Sequence, residues 1–503
     1  MVIYFATVSF IAVASLIYFY LKSVNGYWKN RNVTGPKPIP LFGNIIDSAI
    51  RRKHVAILFK KFYNDFPNEK YVGFYRMTTP SLLIRDLDIV RQILIKDFEA
   101  FPDRGIEYSK EGLGDNLFHC DSVTWRALRT HMTPLFTSEK LKNMVNLLRQ
   151  QSHKFIEHVE IISSDEQEQP MINLFQKYCI ASIMVCFFGI SVDTYGDKTG
   201  VFEKIDRSMI TVPHVNEIDL LIPGILKKAN VSLFNKLAIR YCYKIIEAVR
   251  LHRSDKPSIV NDVMDILFAL EHQDQTKSLK KCNNDIDSFK ITDSVIAGQV
   301  FIFFAAGYAN NTNVLSYTMY HLAKNPDIQK KLIAEIDDVL RRFSGEITYE
   351  SVNAMIYLDH VFSETLRMHP TANSLQRCAA RSYDLPGSDL RIEKGMSIVI
   401  SPMAIHHDPL LYPNPYKFDP DRFLPEIAKT RHSCAYLPFG IGPRSCIATR
   451  FAKLQYKVCV AEFLSRFRVE PSRRTKDEYF INPHRSLLSP EGGIYLNITP
   501  RTK

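Results

Sequence analysis

Apolar and polar positions run along this chain with three different rhythms. The first 20 residues after the initiator, Val2–Leu21, carry no charge and are rich in Val, Ile, Phe and Tyr. As a helix such a stretch spans about 30 Å, enough to cross a bilayer core. A period of two follows in Tyr71-Val72-Gly73-Phe74-Tyr75 and Ser81-Leu82-Leu83-Ile84, which predicts a hairpin. Asp86 or Asp88 is placed to cap a helix that runs through Ile95. From 124 to 340 apolar residues recur three and four apart, the spacing of amphipathic helices. Within that region Thr292 caps a segment, Val295–Ala309, that is almost wholly apolar, and polar His272–Ser288 reads as a surface loop. A second strand region, Arg391–Ile400, precedes Pro- and Asp-rich irregular chain from Pro402 to Pro425. An apolar helix, Ile447–Leu464, comes last. The pattern predicts a mainly α protein with a minor β region.

No repeat and no linker beyond residue 45 divides the chain. The division expected is therefore an anchor at 1–21, a basic and proline-rich hinge at 22–44 and one catalytic domain at 45–503. Lys22, Lys29, Arg31 and Lys37 follow the apolar span, and the positive-inside rule then puts the body in the cytosol. Thr34-Gly35-Pro36-Lys37-Pro38-Ile39-Pro40 reads as a stiff hinge, because proline fixes φ and removes donors. Nine cysteines, odd in number and without paired spacing, read as reduced thiols. The net charge of +11 is spread among interleaved acids with no basic run, which argues against nucleic acid as a partner.

Phe439-Gly440-Ile441-Gly442-Pro443-Arg444-Ser445-Cys446 carries the sharpest chemistry. It sets one cysteine on a Gly- and Pro-rich loop just before a helix. A thiolate there is stabilised by free backbone N–H groups and by the positive end of the helix dipole. The glycines let backbone N–H groups approach the sulfur, and Phe439 covers it. Such a sulfur suits a soft metal site, above all the axial position of a haem iron.

These residues resemble the cysteine-loop signature Phe-x-x-Gly-x-Arg-x-Cys-x-Gly of the haem-thiolate monooxygenases, the cytochrome P450 family, with Ala448 in place of the last glycine. Glu364-Thr365-Leu366-Arg367 resembles the family's Glu-x-x-Arg helix motif. Pro420-Asp421-Arg422-Phe423 resembles its Pro-x-Arg-Phe motif, and Trp125-Arg126-Ala127-Leu128-Arg129 its Trp-x-x-x-Arg helix. All four occur in the family's order. Phe101-Pro102-Asp103-Arg104-Gly105, Pro134-Leu135-Phe136-Thr137-Ser138 and Asn325-Pro326-Asp327-Ile328-Gln329 are similar to the insect microsomal branch.

The resemblance implies the family fold, preceded by the transmembrane helix, and haem b with Cys446 as axial iron ligand. It implies Trp125, Arg129, Arg377 and Arg444 about the haem propionates, where a planar guanidinium holds a carboxylate bidentately. Glu364, Arg367 and Arg422 would form a buried charged triad that places the cysteine loop. The activity implied is NADPH- and O2-dependent monooxygenation of a small apolar molecule at the cytosolic face of the endoplasmic reticulum membrane. Since no dinucleotide fingerprint or flavin domain is visible, electrons would come from NADPH–cytochrome P450 reductase, with cytochrome b5 as a second donor. Arg450, Lys453 and Lys457 share one side of the last helix, with Phe451, Leu454 and Val458 on another. They read either as a basic docking patch for the reductase or as ordinary solvated charge. Phe101–Cys120, Met209–Ile225, Phe301–Ala306, Thr371–Gln376 and Arg485–Leu488 would wall the substrate pocket.

The apolar helix departs from the family where an acid and a threonine usually relay protons. Those positions hold Ala309 and Asn310, followed by Asn311 and Thr312. Alanine relays nothing. Asparagine hydrogen-bonds but does not titrate, so Asn310 either holds a proton-delivering water or merely satisfies a loosened backbone bond. Small Ala305, Ala306, Gly307 and Ala309 are expected to let the helix backbone approach a flat ring, and Gly307 to ease a local opening of the helix. The missing acid leaves two rivals to monooxygenation: a haem-thiolate isomerase or dehydratase acting on peroxides, and a non-catalytic haem protein that binds ligands.

Overall fold

A computed structural model describes the chain outside residues 106–112, 197–199, 212–224, 230, 232–233, 254–260, 280–289 and 502–503. Its helices of ten or more residues are labelled here in chain order. They are α1 (Val2–Asn25), α2 (Val55–Asp65), α3 (Ser122–Met132), α4 (Ser138–Asp165), α5 (Met171–Phe188) and α6 (Val201–Ile210). After them come α7 (Lys236–Arg253), α8 (Val263–Leu279), α9 (Asp293–Lys324), α10 (Pro326–Arg342), α11 (Ile356–Met368) and α12 (Thr449–Arg466). Strands β1 (Tyr71–Arg76), β2 (Thr79–Ile84), β4 (Leu375–Cys378) and β7 (Ser397–Ile400) form one sheet, ordered β1-β2-β7-β4. A second sheet joins β3 (Glu168–Pro170), β9 (Tyr495–Pro500) and β8 (Phe467–Pro471), and β5 (Tyr383–Asp384) pairs with β6 (Arg391–Ile392). The mainly α architecture with minor β structure is as the sequence predicts.

The long helix α9 organises the core. Thr292 caps it, its hydroxyl accepting from the Val295 N–H, and its apolar run is buried on nearly every side. α5 lies against it so closely that a Cβ on Gly307 would come within 2.5 Å of Ile183 Cδ1. The expected reason for that glycine is therefore corrected: it serves close packing against α5 rather than an opening of the helix. α5 is also long and apolar enough to cross a membrane, but it is largely buried and so is a core helix.

Near the N-terminus, α1 is helical as expected and leaves Tyr4, Phe5, Phe10, Ile11 and Leu16 exposed. The segment after it turns back onto the body. Trp28 is buried, donating its indole N–H to the Phe74 carbonyl, and the Gly73 N–H donates to Thr34. Gly35 permits this, since a Cβ there would collide with the Gly73 carbonyl.

The hairpin β1–β2 pairs Tyr71 with Ile84, inside the predicted bounds. Asp86 is the cap of the short helix Leu87–Arg91, but that helix yields to a π-helical turn, Gln92–Lys96, before Ile95. Polar His272–Ser288 is not all loop, because α8 continues through Leu279; residues 280–288 lie outside the described ones. The charged triad forms as expected. Fully buried Glu364 takes Arg367 Nε at 2.7 Å and Nη2 at 2.9 Å, with Arg422 Nε at 3.5 Å. Arg367 also donates to the carbonyls of His406 and Pro415, tying α11 to the irregular chain that leads to the cysteine loop.

Candidate active site

The loop before α12 is shaped by two left-handed glycines, Gly440 (φ +69°) and Gly442 (φ +79°). A Cβ on Gly442 would sit 2.0 Å from the Leu94 carbonyl oxygen, so the π-helical turn presses the loop into place. The Ser445 N–H donates to Gly442 and the Cys446 N–H to Phe439, which closes the loop and sets Phe439 beside the cysteine. Cys446 lies two residues before the Ala448 cap of α12. Burial raises its thiol pKa, against the Ala448 N–H, the Thr449 hydroxyl, Arg129 and Arg104, all of which favour thiolate. A metal cation bound there would reverse that rise, because a coordinating thiol is deprotonated outright. Of the eight described cysteines, Cys446 alone is exposed.

Four guanidinium groups gather near it. Arg444 donates from Nε to the Pro102 carbonyl at 3.0 Å and lies over the Trp125 ring, 4.3 Å from its centroid. Arg129, one turn after Trp125 on α3, donates to the Ser445 carbonyl at 3.0 Å. Arg377, on β4, gives Nη1 to the Gln376 carbonyl, while its buried Nε has no partner. Arg444 Nη1 is likewise buried and unpartnered. The fourth is Arg104, which donates to the carbonyls of Phe118 and Arg444. Burial and mutual repulsion pull Arg377 down to about 10, and burial pulls Arg444 to the same level. Among the described residues one carboxylate, Asp103, comes within 3.7 Å of Arg444. Buried cations with idle N–H groups call for anions. A planar ligand with two carboxylates and an iron that takes a thiolate fits the arginines and Cys446 together.

Trp125, Arg129, Arg377, Phe439, Arg444 and Cys446 are thus all brought to one place. Sequence reading missed Arg104. Its signal was local: Asp103-Arg104-Gly105 follows Pro102, and Gly105 (φ +66°) turns the chain tightly against Cys378. Bonds from Cys378 N to Asp103 and from Ala380 N to Ala100 add this stretch to the end of β4 beside Arg377.

The opposite wall is α9. Ile302 from α9 and Ile447 from the cysteine loop pack into the same apolar cluster as Trp125, so helix and loop adjoin. Ala306 is exposed although the helix around it is buried. Asn310, one turn on, gives its side-chain amide to the Ala306 carbonyl at 2.8 Å. Thr312 is buried and bonded to the Tyr308 carbonyl, and Asn311 is held by Ala452 and Gln455. Aromatic residues close one side: Phe234 meets Phe301 at 5.0 Å and His119 at 5.9 Å between ring centroids. Burial, with Arg104 nearby, pulls His119 down to about 3, so it is neutral. The expected walls at 371–376 and 485–488 also come together, through the Leu488 N–H and the Thr371 carbonyl. The parts of the other walls at 106–112 and 212–224 lie outside the described residues.

The basic patch on α12 is not formed as expected. Phe451, Leu454 and Val458 do face inward, but so does Lys457, which is 2 % exposed and bound to Asp359 and the Met355 carbonyl. Arg450 bonds Ser138, Tyr349 and the Phe136 carbonyl. A long lysine stem lets this charge pass through apolar packing to its partner. Arg450 itself is exposed, whereas Lys453 is half-buried and pairs with Asp359 as Lys457 does.

The family model described as Cytochrome P450 matches residues 33–498. Cytochrome P450 6B1 of Papilio polyxenes is 48% identical over 489 residues, covering 97% of this chain and 98% of its own. Cytochrome P450 6B6 of Helicoverpa armigera is 45% identical over 500 residues, 99% of each chain, and cytochrome P450 6B2 of the same species 44% over 500.

Proposed function

The chain belongs to the cytochrome P450 family and is a haem-thiolate monooxygenase, and from that premise we propose how its residues serve the reaction. Haem b would be held by Cys446 as the thiolate ligand to its iron and by Arg104, Arg129, Arg377, Arg444 and Trp125 about its carboxylates. When bound, the haem supplies oxygen activation, to which a thiolate ligand lends electron density. The observation that carries this reading is the pair of idle N–H groups, Arg377 Nε and Arg444 Nη1, within one cluster with Cys446. The chain's own part is to keep the thiolate under N–H groups, neutralise two carboxylates, exclude water with Phe439, and orient substrate. Asn310 is the polar group on the substrate side of α9, and it would hold a proton-delivering water there.

The substrate class proposed is a small apolar molecule, supported by the Phe118, Phe234 and Phe301 wall and neutral His119. NADPH and O2 are the co-substrates, with electrons delivered by NADPH–cytochrome P450 reductase and by cytochrome b5. Residues 1–21 would anchor the protein in the endoplasmic reticulum membrane, residues 22–44 would lead to the body, and 45–503 would form the catalytic domain on the cytosolic face. Supporting this, Tyr4, Phe5, Phe10, Ile11 and Leu16 on α1 are exposed, and exposed Ile39, Leu41 and Phe42 continue apolar surface beyond it. Deleting 2–21 should release protein from membranes with haem retained, and protease protection of the body in sealed microsomes would reverse the topology.

The deciding experiment reconstitutes the protein with reductase and a broad panel of apolar substrates and measures product per NADPH. Peroxide rearrangement without NADPH would point to an isomerase or dehydratase. Spectral ligand binding with no product from any substrate would point to a binding protein.

A further inference from the structure

A pocket of about 250 Å³ lies along α9 and shares no lining residue with the arginine cluster or Cys446. Asn173 and Gly492 at its rim are exposed, whereas Tyr308, Ala309, Thr312 and Asn313 at its floor are buried. It therefore runs from solvent to the helix. Among the described residues the carboxylate lining it is Asp206, on α6. Asp206 accepts from Arg485 Nη1 and Nη2, both at 2.8 Å, and from the Tyr308 hydroxyl at 2.8 Å. A space this large and this polar holds several waters.

Helix geometry joins the pocket to the reaction space. Residues seven apart on an α-helix differ by about 20° in direction, so Asn313 shares its face with Ala306. Asn310 lies between them at three- and four-residue spacing, as surface neighbours. Ala309 leaves the pocket wall low beside that stripe. None of Ala306, Ala309, Asn310 and Asn313 titrates. Yet monooxygenation consumes protons: substrate R–H, O2, two electrons and two protons give R–OH and water.

Resting on the monooxygenase reading above, we propose that this pocket is the proton inlet and that Asp206, positioned by Arg485 and Tyr308, is its relay carboxylate. A proton from outer solvent adds to the Asp206 carboxylate, and the carboxylic acid so formed gives a proton up to inner water. It continues past Ala309 and Asn313 to the water held at Asn310 and ends in the product water. The carboxylate is left as it began. The acid that α9 lacks is supplied from α6.

The test uses full-length enzyme with reductase and compares wild type, Asp206→Asn with Arg485→Gln, and that double variant with Ala309→Glu. The double variant keeps the pair neutral, so no guanidinium is stranded. Expected are at least about a tenfold shift from product to hydrogen peroxide per NADPH and a larger solvent isotope effect on that partition. The reduced carbon-monoxide band should be unchanged. Product formation driven by added hydrogen peroxide should persist, since R–H and H2O2 give R–OH and water without further protons. Ala309→Glu should restore coupling, and a crystal structure should show ordered waters from Asp206 to Asn313. An unchanged partition with the band intact, equal loss of peroxide-driven turnover, or a dry pocket overturns the proposal. Should the double variant lose the band, Tyr308→Phe replaces it, and no rise in its peroxide leak is the overturning result. If wild type forms no product with reductase or with peroxide, the monooxygenase reading itself fails; product from wild type keeps the two failures apart.

Discussion

The side-chain amide of Asn310 donates to the carbonyl oxygen of Ala306, one turn back along α9, at 2.8 Å. That bond settles which end of the amide is engaged. The nitrogen is held by the backbone, and the oxygen is left to accept from a water or hydroxyl on the exposed Ala306 side. An accepting group can orient a water but has no proton of its own to give. On the function proposed above, Asn310 would hold a proton carrier in place, and the titrating group would lie elsewhere.

Replacing Asn310 by Ala should lower product per NADPH and raise hydrogen peroxide, because the water loses its acceptor. Asn310→Thr with Ala309→Glu should raise coupling. Each tenfold change in the partition corresponds to about 1.4 kcal/mol in relative barriers. Haem content is measured first, since Ala309 is buried and a carboxylate there is costly if unpaired. Equal coupling in wild type, Asn310→Ala and Asn310→Thr would make Asn310 purely structural.

Cys446→Ser should abolish the red-shifted carbon-monoxide band of the reduced protein. Cys434→Ser and Cys459→Ser should keep it, although both thiols are fully buried and the hydroxyls will cost stability, about 1–3 kcal/mol each. Arg377→Gln should speed haem loss while leaving the band's position unchanged, since it removes a cation from the cluster and leaves the sulfur alone. A band that survives Cys446→Ser would sink the axial assignment.

What the sequence made legible was chemistry written in short windows. The cysteine loop, the Glu364–Arg367 pair and the Thr292 cap each lie within a few residues, and each forms as read. What it concealed depends on a distant partner. Arg104 acts with Arg444, 340 residues away, and Asp206 with Arg485, 279 away. Gly307 looked like an opening in a helix until Ile183 was seen against it. Lys457 obeyed the polar stripe in sequence but not in space, because Asp359 on α11 draws its ammonium inward.

That burial makes a separable prediction for Lys453 and Lys457. Lys457→Gln should destabilise the fold by about 3–5 kcal/mol, as it leaves Asp359 facing a site with one cation fewer. It should not alter the salt dependence of reductase KM. Lys453→Gln should change stability by less than about 1 kcal/mol, as expected of a partly exposed pair. Urea midpoints for both variants, with reductase KM over a salt series, decide between a docking role and a structural one. A salt response lost in Lys457→Gln without loss of stability would contradict the burial argument.

Stability should fall on the acid side of neutrality because several imidazoles are buried in the neutral form. Burial pulls His54 down to about 4 and His321, His406 and His407 down to about 3. His54 shows why the neutral ring is kept: Nδ1 accepts from the Ala56 N–H, and Nε2 meets the Arg485 carbonyl. In the unfolded chain each ring titrates near its ordinary 6.5. Their folded values are depressed, so their contribution is fully present above that pH and is lost as pH falls toward 4 and then 3. In that window the unfolded state binds more protons, and each ring adds about 1.4 kcal/mol per pH unit to the slope. Urea midpoints between pH 7.5 and 5 should drop as pH is lowered. His54→Gln keeps an acceptor for Ala56 without a titrating ring, so its slope should be shallower by up to one proton. A slope identical to wild type would mean that His54 takes up no proton on unfolding, and that its burial does not suppress its charge.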